Sequence, residues 1–225
     1  MDAEEGEGSS LAGPMSRTAR RWLLVFAWSG GLIAGCIAFA DRPFARAIDR
    51  NVERTAIASV GLGVLVLLKV ILAAAMMVLL VGAVGRATRR TTPDWLRLPL
   101  VSTVGMALAL VSALSLKFAI GRSQVYPTYI PEHLFVLRPF HGTGDYEAFP
   151  SATLAVTAAA LAVPWFRAPR FRAGCVVALA VTESAILVTN GHWLSDTVGG
   201  MLLGAFVGWW VAMRVGEAPP AARPM

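Results

Sequence analysis

The chain has 225 residues, of which 56% are hydrophobic and 15% charged, with a mean hydropathy of +0.61. Soluble domains carry about 25% charged residues, so this composition excludes an ordinary soluble domain and indicates a polytopic membrane protein. The net charge of +6 does not point to nucleic acid, because the basic residues gather at the ends of apolar runs, as in membrane proteins. Cys36 and Cys175 both lie inside apolar runs and read as small buried hydrophobes. With no CxxC, HExxH or Gly-rich phosphate loop, no metal and no cofactor are expected.

Residues 1–16 are acidic and small, and read as a disordered tail. Arg17, Arg20 and Arg21 then precede an apolar run, Trp22 to Ala40. Its nineteen residues make about 28 Å of helix, enough to span. Two processing readings compete with a permanent first helix. Ala38-Phe39-Ala40 has the form of a cleavage site, and Ile33-Ala34-Gly35-Cys36 that of a lipoprotein box. From Asp41 to Thr55, Arg42, Arg46, Arg50 and Arg54 recur every four residues, opposite Phe44, Ala45, Ile48 and Val52. That pattern predicts a short interfacial helix with its apolar face in the lipid, or else a charged connector.

Ala56 to Gly85 is a second span. Lys69 lies near its middle, where a charge costs about 2.5–3.5 kcal/mol on insertion scales and needs a partner or a water path. A third span runs from Leu98 to about Leu116 and ends at Lys117. Residues 118–150 form the longest polar connection, holding Arg122, Arg138, His133 and His141. A connection of that length is usually functional or disordered. Ser151 to Phe166, Ala173 to Thr189 and Leu194 to Val215 make spans four to six, with Glu183 in the fifth. Glu183 and Lys69 either pair with each other, or Lys69 snorkels while Glu183 faces a polar pocket beside His192. Gly199, Gly200, Gly204 and Gly208 give the last span a close-approach face. Residues 216–225 form a Pro/Ala tail.

Six spans put both termini on one side, and the basic residues divide twelve to seven in favour of that side. The termini are therefore expected in the cytoplasm. An alanine- and arginine-rich chain suits a GC-rich bacterium, so the expected location is the bacterial inner membrane. Lys117, the long connection, Ser151 and His192 then share the outer face. Two readings of His192 and Asp196 stay open. An Asp four residues after a His can orient the imidazole as a nucleophile. It can equally be a cap at the start of a helix.

Three stretches resemble the type 2 phosphatidic acid phosphatase family, whose fold is shared with vanadium haloperoxidases. The family reads K-x6-R-P, P-S-G-H and S-R-x5-H-x3-D. Here they correspond to Lys117-Phe-Ala-Ile-Gly-Arg122-Ser-Gln124, Phe149-Pro150-Ser151-Ala152-Thr153, and Ala185-Ile186 followed by His192-Trp-Leu-Ser-Asp196. The resemblance covers about 98–215 of a membrane domain at 17–215. It implies an all-α bundle of six transmembrane helices and an outer-face site acting on a lipid phosphate or diphosphate. It further implies that His192 attacks phosphorus, Asp196 orients it, and Lys117 and Ser151 hold phosphate oxygens.

Three positions depart from the pattern. Gln124 and Ile186 replace the two arginines, and Thr153 replaces the general-acid histidine. Losing a general acid costs about 10²–10⁴ in rate, and each lost oxyanion donor about 10²–10³. Arg122 is the nearest replacement cation, with Arg138, His133, His141 and Glu147 in the same connection. Three functions follow as expectations: a lipid phosphatase with impaired or altered activity, a non-catalytic protein that binds lipid phosphate or assists a partner, and a lipid-linked phosphotransferase.

Overall fold

The computed structural model describes residues 17–52, 55–87, 94–141 and 144–214. Both expected tails, together with Glu53, Arg54, Arg89 and Arg90, lie outside the described residues. Eight α-helices are present among them: α1 (Arg17–Gly35), α2 (Asp41–Asn51), α3 (Ala56–Ala87), α4 (Asp94–Ile120), the single turn α5 (Ile130–Glu132), α6 (Ala152–Arg167), α7 (Arg172–Val188) and α8 (Leu194–Arg214). A π-helical turn, Cys36–Ala40, joins α1 to α2 without a break. The only β-type pairing among the described residues is the bridge between Arg122 and Leu137.

Five helical stretches are long and apolar enough to cross a membrane: Arg20–Asn51, Ala56–Gly85, Leu96–Ile120, Pro169–Val188 and Leu194–Arg214. The expected fourth span is α6, which is apolar but has only 16 residues, about 24 Å of helix. It is also the helix most enclosed by protein, with Leu154, Ala155, Val156, Thr157, Ala158, Ala159, Ala162 and Val163 all buried. It therefore faces α4 and α8 rather than solvent or lipid.

Small side chains explain that position. Three glycines of α8 meet the backbone of α6 directly. A Cβ built on Gly200 would come 2.4 Å from the Ser151 carbonyl oxygen, one on Gly204 2.1 Å from that of Ala155, and one on Gly208 2.6 Å from that of Ala159. Close backbone approach of this kind is how helices associate where no hydrophobic effect drives them. On its other side α6 meets α4, where Met106, Ala109 and Ala113 are buried. Outside this trio, α3 pairs with α7, where Gly61 leaves room for Val188. Trp22 and Phe26 of α1 stack on Phe206 and Trp209 of α8.

Helix α2 departs from the expected placement in one respect. Ala45 does not face lipid. It is buried with Val125, Tyr129, Ala148 and Trp193. Arg42 and Arg46 stack over the rings of Phe135 and Tyr129. The long connection folds into a cap of aromatic residues, and that cap supplies the apolar surface that Ala45 covers.

The close packing of α6 on α8 yields a test. Gly204→Ala should destabilise the protein by about 1–3 kcal/mol, because the methyl has to displace backbone. Gly31→Ala should change little, since nothing lies within 4 Å of a Cβ there. Thermal unfolding of the two purified variants in the same detergent compares them directly.

Candidate functional site

The site forms where three chain segments converge: the start of α2, the residues after α4 and the start of α8. Helix α4 closes at Ile120 because Gly121 adopts a left-handed conformation (φ +59°) and its N–H returns to the Lys117 carbonyl at 2.8 Å. A side chain there would strike the Arg138 backbone, so glycine is required. The reversal sends Arg122 inward. Ser123 pairs with Val136, and Arg138 with Gly121, through backbone hydrogen bonds. Trp193 donates its indole N–H to the Ser123 carbonyl at 2.8 Å, which ties the start of α8 to the same turn.

Arg122 is buried. One guanidinium nitrogen, Nη1, donates to Ser195 Oγ at 2.6 Å and to Asp196 Oδ1 at 2.5 Å. The other, Nη2, donates to Asp41 Oδ2 at 2.6 Å. Asp41 also accepts from the Ser195 backbone N–H at 3.0 Å and from its hydroxyl at 2.6 Å. The rings of Phe135 and Trp193 flank the guanidinium at 5.1 and 5.3 Å. Two carboxylates around one guanidinium leave the cluster one formal negative charge. Lys117 lies within electrostatic reach of Asp196 but forms no ion pair with the cluster.

Asp196 also caps α8. Its Oδ2 accepts the Trp193 backbone N–H at 2.9 Å, a return from the third helical residue to the N-cap. The capping reading of this residue is therefore realised. His192 Nδ1 stands 3.6 Å from the same oxygen, beyond hydrogen-bond length, and meets the Ala148 carbonyl at 3.0 Å instead. Both neighbours of Nδ1 are acceptors, so Nδ1 carries the proton and Nε2 keeps its lone pair. The imidazole is thus held in the tautomer a nucleophile needs, but chiefly by a backbone carbonyl.

The remaining expected residues fall into separate environments. Lys117 Nζ donates to the carbonyls of Glu147 and Ala148, so Lys117 and His192 meet on one acceptor. Ser151 is fully buried and its hydroxyl has no hydrogen-bond partner. Gln124 donates to the Gly144 carbonyl. Ile186 belongs to the apolar core with Leu65, Leu154 and Ala185. Thr153 lines a cavity between helices, described below. Arg138 and His141 are exposed and both lie against the Tyr146 ring, and neither has a hydrogen bond or ring contact to His192. His133 is likewise exposed, edge-on to Tyr129.

Of the two readings of Lys69 and Glu183, the ion pair is not formed. Glu183 is directed at α8, beside Thr197 and within electrostatic reach of His192, with Oε2 buried and without a hydrogen-bond partner. Among the described residues no group of three or more His, Cys, Asp or Glu side chains is placed to hold a metal.

Sequence reasoning missed Asp41 and Ser195. Asp41 carried a signal, since it is a carboxylate placed directly at the end of an apolar run, but its partners are 81 and 154 residues away. Breaking a buried ion pair by removing one partner costs about 3–5 kcal/mol, whereas apolar replacement of both can be nearly neutral. Arg122→Met, which leaves Asp41 and Asp196 both buried without their counter-charge, should therefore lower the thermal midpoint far more than Asp41→Leu, which leaves Arg122 paired with Asp196. Unfolding of both variants beside the wild type measures the coupling.

Comparison of the chain with protein-family models, with curated proteins and with solved structures gives no match, so the geometry above carries the functional reading.

Proposed function

We propose that the chain is a six-span membrane protein of the type 2 phosphatidic acid phosphatase kind that binds the phosphorylated headgroup of a lipid without turning it over at a useful rate. In this reading α6 is the short fourth span, both termini are cytoplasmic, and Lys117, Ser151 and His192 lie toward the outer face of a bacterial inner membrane. The six apolar helices, the basic excess beside the termini and the three motif-like stretches support it.

One observation carries the non-catalytic part. Arg122, the nearest cation to replace the missing arginines, is committed to Asp41, Asp196 and Ser195. Phosphoryl transfer proceeds by positioning and by charge stabilisation on the equatorial oxygens, and a guanidinium already neutralised by two carboxylates supplies neither. Ile186 is sealed in the apolar core, and Thr153 is no acid near neutral pH. Lys117 is left as an attractive charge and His192 Nε2 as a polar contact, which is enough to hold an anion.

A second reading has its own observation. The tautomer of His192 leaves Nε2 free to attack phosphorus, which favours a slow phosphatase or phosphotransferase. The two readings separate in a phosphate-release panel on purified protein with several lipid phosphates and diphosphates. Release is expected to be at background for wild type and His192→Ala alike, while Lys117→Gln weakens binding of phosphatidic acid at least tenfold. Release that depends on His192 would replace the binding reading with the enzymatic one.

A further inference from the structure

A cavity of about 240 Å³ lies between α3, α4 and α6, lined by Lys69, Leu72, Ala73, Met76, Met106, Leu110, Ala152, Thr153 and Val156. Seven of these residues follow from ordinary apolar packing, and Thr153 is polar but uncharged. Lys69 fits neither description. It sits thirteen residues into α3, about 20 Å along the helix, where a cation is costly without a counter-charge. Its side chain is exposed in the isolated chain, and among the described residues it has no hydrogen bond and no ion pair. Glu183, the acidic residue of the neighbouring α7, faces α8 instead.

What surrounds Lys69 gives the missing counter-charge a chemistry. Lys117 is close enough for the two ammonium groups to repel each other. The cavity also reaches Ala152 and Thr153, the first two residues of α6, and that helix end adds a partial positive charge. Just before it lies Ser151, whose buried hydroxyl is unpartnered. Lys69 and a helix N-terminus thus meet at the cavity, whose lining holds no acidic side chain, and Lys117 stands just beyond that lining, within reach of Asp196 and Glu147 as well. The rest of the lining is apolar, with Leu72 and Met76 beside Lys69 on α3 and Met106 and Leu110 on α4, and the two methionines adapt to irregular apolar shapes.

From this juxtaposition we infer that the α3/α4/α6 cavity is the binding site for the phosphate end of a lipid, with Lys69 as its second cation. The headgroup lies between Lys69, Lys117 and Thr153, and the acyl chain leaves along Met76 and Met106 into the bilayer. The volume falls just short of the usual range for a whole small-molecule site, so the cavity takes the headgroup and the first part of the chain. The inference rests on the lipid-phosphate reading above and adds to it a place, a route from the bilayer and a residue outside every motif-like stretch.

The test uses the full chain in nanodiscs of phosphatidylcholine. Binding of dioleoyl phosphatidic acid, of dioleoylglycerol and of inorganic phosphate is measured for wild type, Lys69→Met, Lys69→Arg and Lys117→Gln. Lys69→Met removes a charge from an apolar helix and should fold at least as well, which thermal unfolding checks. Expected are a loss of phosphatidic acid binding of at least tenfold in Lys69→Met, recovery in Lys69→Arg, and no binding of dioleoylglycerol. A photoactivatable phosphatidic acid should label peptides of α3 and α4. Wild-type affinity in Lys69→Met beside a loss in Lys117→Gln overturns the role of Lys69 and leaves the headgroup reading intact. Absence of phosphatidic acid binding in wild type removes both. Tight binding of inorganic phosphate alone, unaffected by Lys69→Met, assigns the charge to free anion and overturns the lipid site.

Discussion

The structure depends on one guanidinium. Arg122 bridges Asp41 at the end of the first apolar run to Ser195 and Asp196 at the start of the last helix, and all four side chains are buried. Removing the guanidinium would leave two desolvated carboxylates, so the three segments are held in a single arrangement. The aromatic cap formed by Phe135, Tyr129 and Trp193 exists around this cluster and keeps water from it. His192 inherits its position from the same arrangement, because Trp193 and Asp196 fix the turn that carries it.

This cluster also resolves an ambiguity in the His-Asp pair. Each oxygen of Asp196 is held by another partner, Oδ1 by Arg122 and Oδ2 by the Trp193 N–H, and the imidazole stands 3.6 Å from the nearer one. The imidazole turns to the Ala148 carbonyl, which is neutral and stabilises a developing imidazolium less well than a carboxylate does. Geometry that looks catalytic in the sequence thus serves first to close a helix and neutralise an arginine. In the proposed lipid-phosphate site the charges are lysines, and lysine acts as a compact point charge rather than a bidentate fork. Such a site suits holding an anion better than stabilising one in transit.

Much of the architecture was legible from hydropathy. Four of the five long spans begin and end within a few residues of the apolar runs, the first instead running on through α2 to Asn51, and the glycine row of α8 does meet a neighbouring helix. Local chemistry was legible as well, since Asp196 caps the helix it precedes. What could not be read was long-range pairing. Asp41 and Arg122 are ordinary polar residues beside apolar runs until tertiary structure joins them, and nothing local distinguishes Arg122 as spoken for. Ala45 was assigned to the lipid by helical periodicity alone, because its covering surface belongs to a connection with no periodicity of its own. The direction of Lys69 was equally hidden, since a uniformly apolar helix does not reveal which face meets a cavity.

The contact between Asp41 and Ser195 spans 154 residues of chain. Synthesis proceeds from the N-terminus, so Asp41 and then Arg122 enter the membrane region long before Ser195 and Asp196 exist. Through that interval the carboxylate and the guanidinium have at most each other, because the helix carrying Asp196 has still to arrive. The ion cluster therefore closes only once the start of α8 has been made. A product ending before Leu194 would carry Asp41 and Arg122 as an unfinished polar cluster, without the Ser195 and Asp196 contacts that complete it.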